Sequence, residues 1–203
     1  GAANLYLNLG DTERMLDQVD TAQASYAECL HLARSLGHKG LTGAVLKSMG
    51  LLAFKRQDYA QARRYGEEAL AIMREVGDKP HIAFAISNLA DVARKSGQND
   101  QALAYFGQTL QIMHEVGYKW PIFYALEDIA DLLAEINRQP QEAVRFLGAA
   151  AGLRRETGIA MRPEQMADHQ RVVRTLRAAL GEDAFAVIWQ AGEAAPLDQI
   201  IAE

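Results

Sequence analysis

The stretch AIMREVGDKPHIAFAISNLADVA, Ala71 to Ala93, is answered forty residues later by QIMHEVGYKWPIFYALEDIADLL, Gln111 to Leu133. The same offset backwards from Ala71 reaches HLARSLGHKG, His31 to Gly40. Gly37, Gly77 and Gly117 are therefore equivalent, and Gly158 continues the series one residue late, the extra residue falling in the turn around Asn137–Pro140. A period of this length marks a repeated supersecondary unit that cannot bury its apolar face alone and must stack on its neighbours.

Inside the unit the apolar period is helical. Val45, Leu46, Met49, Leu52 and Ala53 recur at three- and four-residue spacing, one face of a helix. Gln57–Tyr59 interrupts, and a second amphipathic run continues through Ala62, Tyr65, Ala69, Leu70, Ile72, Met73 and Val76 before Gly77 ends it. Pro80, Pro121, Pro140, Pro163 and Pro196 all fall at expected helix starts, where the missing N–H costs nothing. No segment alternates with a period of two. The chain reads as all-α, with helices at 2–16, 20–36, 40–56, 59–76, 80–96, 99–116, 120–136, 140–156, 163–180, 182–192 and 196–202.

Composition bounds the rest. A chain of 203 residues, 49% of them hydrophobic, makes one domain or two small ones with a sizeable core. The longest run without a formal charge, Gln101–His114, is fourteen residues, too short to span a bilayer. The net charge of −5 argues against generic affinity for nucleic acid or anionic lipid. The lone cysteine, Cys29, excludes an internal disulfide framework and fits a reducing compartment, so the expected location is cytoplasmic. Gly1, with no initiator Met, reads as a cloning remnant on a piece of a longer protein.

The repeat resembles the tetratricopeptide family. The resemblance rests on Leu9–Gly10, Met49–Gly50, Leu89–Ala90 and Ile129–Ala130 on first helices, and on Ala22, Ala62, Ala102 and Ala143 with Tyr26, Tyr65, Tyr105 and Phe146 on second helices. It implies a right-handed α-α superhelix of four hairpins, at about 1–37, 38–77, 78–117 and 118–158, with 159–203 as a C-terminal helical cap. Small residues at 10, 50, 90 and 130 are expected to let the paired helices approach closely. The family's usual proline at the end of the second helix is absent, since Arg74 stands there, and the helix runs on to Gly77.

The tail is similar to the C-terminal arm of large LuxR-type transcriptional regulators through Leu147–Gly148–Ala149–Ala150, Leu180–Gly181, Ala184–Phe185, Trp189 and Gly192. In those proteins an ATP-binding module precedes a helical repeat arm and a helix-turn-helix sits elsewhere. The resemblance implies a sensing arm that works with other domains of the same chain. A free-standing scaffold or peptide receptor is the alternative.

No catalytic, cofactor or metal constellation stands out. GHKGLTG (Gly37–Gly43) has the wrong order for a phosphate loop. The five histidines, His31, His38, His81, His114 and His169, form no HxxxH or HExxH pair. Cys29 sits at a small-residue crossing position and reads as core packing. Glu127, Asp131 and Glu135 share a stripe at four-residue spacing, which is more often a hydrated or polar binding face than a catalytic pair. Arg154, Arg155, Arg162, Arg171, Arg174 and Arg177 concentrate charge in the tail without interleaved aromatics, which favours pairing with acidic neighbours or a further domain over nucleic acid.

The family's geometry puts first helices on the concave side, where a protein or peptide would bind. The implied contacts are Lys47, Phe54, Lys55, Phe84, Asp91, Arg94, Lys95, Tyr124, Glu127 and Asp131, although Phe84 and Tyr124 could equally pack between repeats. A carboxylate clamp is not expected. Lys47 and Asn88 fit two of its places, but Leu51, Tyr124 and Asp128 occupy the others and Asp128 would repel a carboxylate. The first helix of the first hairpin, left uncovered, is a further candidate surface for homodimers.

Overall fold

In the computed structural model, which describes residues 1–202, eleven helices succeed one another and no strand occurs among the described residues. They are α1 (Ala2–Met15), α2 (Val19–Ser35), α3 (Lys39–Lys55), α4 (Tyr59–Val76), α5 (Lys79–Lys95), α6 (Asn99–Glu115), α7 (Lys119–Glu135), α8 (Pro140–Thr157), α9 (Pro163–Leu180), α10 (Glu182–Ala194) and α11 (Leu197–Ile201). Each predicted helix is present, its ends displaced by two residues at most. Glu203, the last residue of the expected cap, lies outside the described residues. Among the described residues no helix is long and apolar enough to cross a membrane.

Local chemistry fixes the helix ends. The carboxylate of Asp58 accepts from the Gln61 N–H at 3.0 Å and that of Asp78 from the His81 N–H at 3.2 Å, satisfying donors that a first turn leaves open. Second helices close on left-handed glycine, with φ +76° at Gly77 and +69° at Gly158. The turn inside each hairpin is also left-handed, at Asp17, Gln57, Gly97 and Asn137, forty residues apart. Only one of these is glycine, so the left-handed backbone was not legible in the sequence, although the breaks at Gln57–Tyr59 and Asn137–Pro140 were.

The chain divides into two compact units, residues 1–105 and 106 onward, the division falling within α6. In the first unit α1 pairs with α2 and α3 with α4, while α2 packs on α3 and α4 on α5. Its core joins Tyr26, Cys29 and Ala33 of α2 to Val45, Met49 and Leu52 of α3. Tyr26 is fully buried over Gly10, where a Cβ would come within 2.6 Å of the ring. The Tyr26 hydroxyl donates to Asp11 at 2.7 Å and accepts from Arg14 Nε at 3.2 Å. Burial, then the bond to Asp11, pushes the phenol up to about 12.

The two glycine crossings are packed differently, Gly10 facing the Tyr26 ring and Gly50 the backbone of α4. A Cβ on Gly50 would meet the Ala62 carbonyl at 3.5 Å and Tyr65 Cβ at 3.6 Å, which are ordinary contacts. Ion pairs tie the first two hairpins, with Arg34–Glu68 at 2.5 Å and Lys55–Asp17 at 2.6 Å, while Lys39–Glu75 at 2.8 Å joins α3 to α4 within the second hairpin. Each is exposed and contributes little.

In the second unit α7 pairs with α8, and α10 lies across α8 in backbone contact. A Cβ on Gly148 would collide with the Trp189 carbonyl, and one on Gly192 with that of Arg145. α9 packs against α7 and α8, burying Val172 and Leu176. Phe185 and Trp189 of α10 stack at 5.5 Å, and His114 meets Asp198 of α11 at 2.8 Å.

Candidate binding face on the first helices

The forty-residue period places Lys47, Ser87 and Glu127 at one repeat position and Leu51, Asp91 and Asp131 at another. All six are half-buried.

In the first unit α3, α4 and α5 enclose a cleft of about 100 Å³ lined by Lys47, Leu51, Phe54, Asn88, Asp91 and Val92, with Gly50 and Gly66 on its wall. Three of the expected contacts, Lys47, Phe54 and Asp91, therefore meet in one place. Lys47 Nζ lies 5.9 Å from the centroid of the Phe84 ring, which brings a fourth beside it. Burial pushes the Lys47 ammonium below the lysine range, an effect that Asp11 opposes, Arg14 reinforces and Asp78 opposes. Burial likewise pushes the Asp91 carboxyl up to about 6, against the lowering fields of Arg94 and Lys95. Two titratable groups with opposite displacements, both caused by loss of water, line this cleft together.

The remaining cationic candidates are placed otherwise. Lys55 Nζ bonds Asp17 at 2.6 Å and the Arg14 carbonyl at 3.3 Å, fastening the end of α3 to the turn between α1 and α2. Arg94 is half-buried and Lys95 exposed at the end of α5, neither lining the cleft. Cys29 lies in the core with its thiol pushed up by burial.

In the second unit Tyr124, Glu127 and Asp131 face the tail of the chain. The Arg154 guanidinium donates to both oxygens of Glu127, at 2.7 and 2.8 Å, and lies 4.1 Å from the Phe123 centroid and 4.9 Å from that of Tyr124. Burial alone would lower Arg154; its bonds to Glu127 lift it above its ordinary value. Arg171 of α9 donates to Asp131 at 2.9 Å. A second cleft, of about 180 Å³, is lined by Glu127, Asp128, Asp131, Met161, Asp168 and His169. Burial pushes the His169 imidazolium down, leaving a neutral ring at neutral pH.

Sequence reasoning did not find the Arg154 and Arg171 partners, because they are 27 and 40 residues from the carboxylates they bond. The signal it had was the arginine-rich tail. Arg154, Arg155, Arg171 and Arg177 pair with Glu127, Glu193, Asp131 and Glu182.

Stacked helical hairpins with half-buried first-helix faces define a helical-repeat protein. Models of the tetratricopeptide repeat match residues 1–75 and 85–117. The chain is a tetratricopeptide repeat protein, a class that generally serves as a non-catalytic scaffold for protein interactions. No curated protein matches it in sequence. Among solved structures, the nearly identical TPR-like repeats of a kinesin-light-chain-like protein from Podosopora anserina are 16% identical with a TM-score of 0.69, over 96% of this chain and 97% of that one. BtubC (BKLC) from P. vanneervenii is 20% identical with a TM-score of 0.69, over 96% of this chain and 77% of that one. At these identities the likeness is one of fold.

Proposed function

We propose that the domain binds a protein segment on its first-helix face, with the cleft lined by Lys47, Phe54, Asn88 and Asp91 as the principal contact. One observation carries this reading: Lys47, Phe54, Asn88 and Asp91 line one small cleft, in which the two charged side chains are half-buried. A peptide bringing its own donor and acceptor would restore to each the interactions that water no longer provides. Phe54 and Phe84 supply apolar contact beside them. Glu127 and Asp131 serve the fold rather than the partner, because Arg154 and Arg171 already occupy them.

The wider setting is the sensing arm of a cytoplasmic transcriptional regulator, with residues 1–158 as the repeat array and the helices beyond as its end piece. The tail motif supports it, since Gly148 and Gly192 are the residues whose missing side chains let α8 and α10 touch. The scaffold reading is favoured instead by the kinesin-light-chain-like structural neighbours. A full-length gene product with a phosphate-binding loop and a helix-turn-helix would decide for the regulator.

The binding reading is tested by selecting peptides from a random library on the 203-residue chain, then measuring affinity by calorimetry. Lys47→Glu is expected to weaken the selected peptides at least about tenfold, as for an interface hot spot. Asp131→Asn is expected to leave them unchanged. Equal binding to the native chain and Lys47→Glu would sink the assignment.

A further inference from the structure

The cleft between α3, α4 and α5 has an apolar floor and a polar rim. Gly50 of α3, Ala62 and Gly66 of α4 and Ala85 of α5 form the floor, and each is buried. Lys47, Asn88 and Asp91 stand at the rim, half-buried. The depth exists because side chains are small there: a Cβ on Gly50 would find no atom nearer than 3.5 Å. A space of about 100 Å³ holds about four or five heavy atoms, the size of one short side chain.

The rim narrows the choice of that side chain. At pH 7 the Lys47 ammonium offers donors only, the Asp91 carboxylate acceptors only, and the Asn88 amide both. An acidic side chain entering among them is drawn by Lys47 but opposed by Asp91, and a basic one meets the reverse. The space is too small to admit one of each. An aliphatic side chain suits the floor but takes water from both charges and returns no hydrogen bond. A hydroxyl is too short to reach from floor to rim. A primary amide meets every condition: its methylenes rest on the floor, its carbonyl accepts from the ammonium, and its NH₂ donates to the carboxylate.

We propose that the cleft selects a carboxamide, the glutamine or asparagine side chain of the bound segment. The inference rests on the peptide-binding reading above and names the residue of the partner that the cleft takes. Charge complementarity carries it, since opposite charges on one rim favour a neutral guest that can both donate and accept. Selectivity comes from the rim, where either kind of charged guest faces one group of its own sign.

Peptides selected from a random library on the 203-residue chain, resynthesised with single replacements and measured by calorimetry, test it. A glutamine or asparagine is expected to recur at one place in them. Its replacement by glutamate, lysine or leucine should each weaken binding at least about tenfold. Asp91→Asn in the chain should restore the glutamate peptide and Lys47→Met the lysine peptide, each removing the group that opposes the guest. Both variants should keep the native helical circular-dichroism signal. Peptides that depend on Lys47 yet carry no carboxamide, or that tolerate its replacement, would overturn the inference and leave the binding reading standing. So would charged peptides that neither variant restores. Peptides bound equally by the native chain and Lys47→Glu would remove the binding reading, and this inference with it.

Discussion

Asp91 and Asp131 occupy the same position of successive repeats, yet their surroundings differ. In residues 1–105, Asp91 shares a cleft with Lys47, and burial sets the ionisation of both. In the second unit Asp131 is bonded to Arg171, and Glu127 is held in a two-pronged bond by Arg154. The repeat register decides that a side chain stands on the half-buried edge of a first helix. The helices packed beside it decide whether it lines a cleft or is bonded into the fold.

This contrast can be broken at several points. The largest effect is expected from Arg154→Ala, which strands the Glu127 carboxylate in a nearly buried site and should cost about 3 kcal/mol in urea unfolding. Arg154→Lys should recover only part, since an ammonium cannot reproduce the planar fork. A loss below about 1 kcal/mol, the size of an exposed pair, would show that the pair is not integral to the fold.

Next comes Asp91. Its folded carboxyl holds its proton to about 6, whereas an unfolded chain releases it near 3.9. The stability from the neutral carboxyl is whole below pH 4 and is lost as pH rises toward 6, so unfolding free energy falls across that window. Asp91→Asn should flatten this slope and raise stability at pH 7 by on the order of 1 kcal/mol, measured by urea unfolding at a series of pH values. An unchanged slope would remove the distinction between the two faces.

The smallest effect is expected from Arg171→Ala. Its pair with Asp131 is half-exposed, so the loss should be about 0.5 kcal/mol and shrink further in high salt. A loss as large as that of Arg154→Ala would mean that α9 is fastened by this one bond.

The parts legible in the sequence were those with short-range causes. Helix limits came from the apolar period, from the left-handed glycines at 37, 77, 117 and 158, and from prolines in first turns. The breaks at Gln57–Tyr59 and Asn137–Pro140 were legible, but the positive φ of Asp17, Gln57 and Asn137 was not, because a non-glycine residue does not require it. Gly10 and Gly50 looked alike as sequence, yet only Gly10 has an aromatic ring packed where its Cβ would stand. Lys47, Phe54 and Asp91 were nominated from helix faces and do share a cleft. Lys55, nominated in the same way, is bonded instead to the turn at Asp17. The Arg154–Glu127 pair could not be read at all, since no local pattern links a residue late in α8 to the middle of α7.

The sequence by itself determined a file of amphipathic hairpins at a forty-residue period, because a helix face is a matter of spacing along one chain. Tertiary structure alone decided which polar groups on those faces line a cleft and which are paired within the fold. Burial and ion pairing depend on distances between segments far apart in the chain, and a periodic pattern carries no record of those distances.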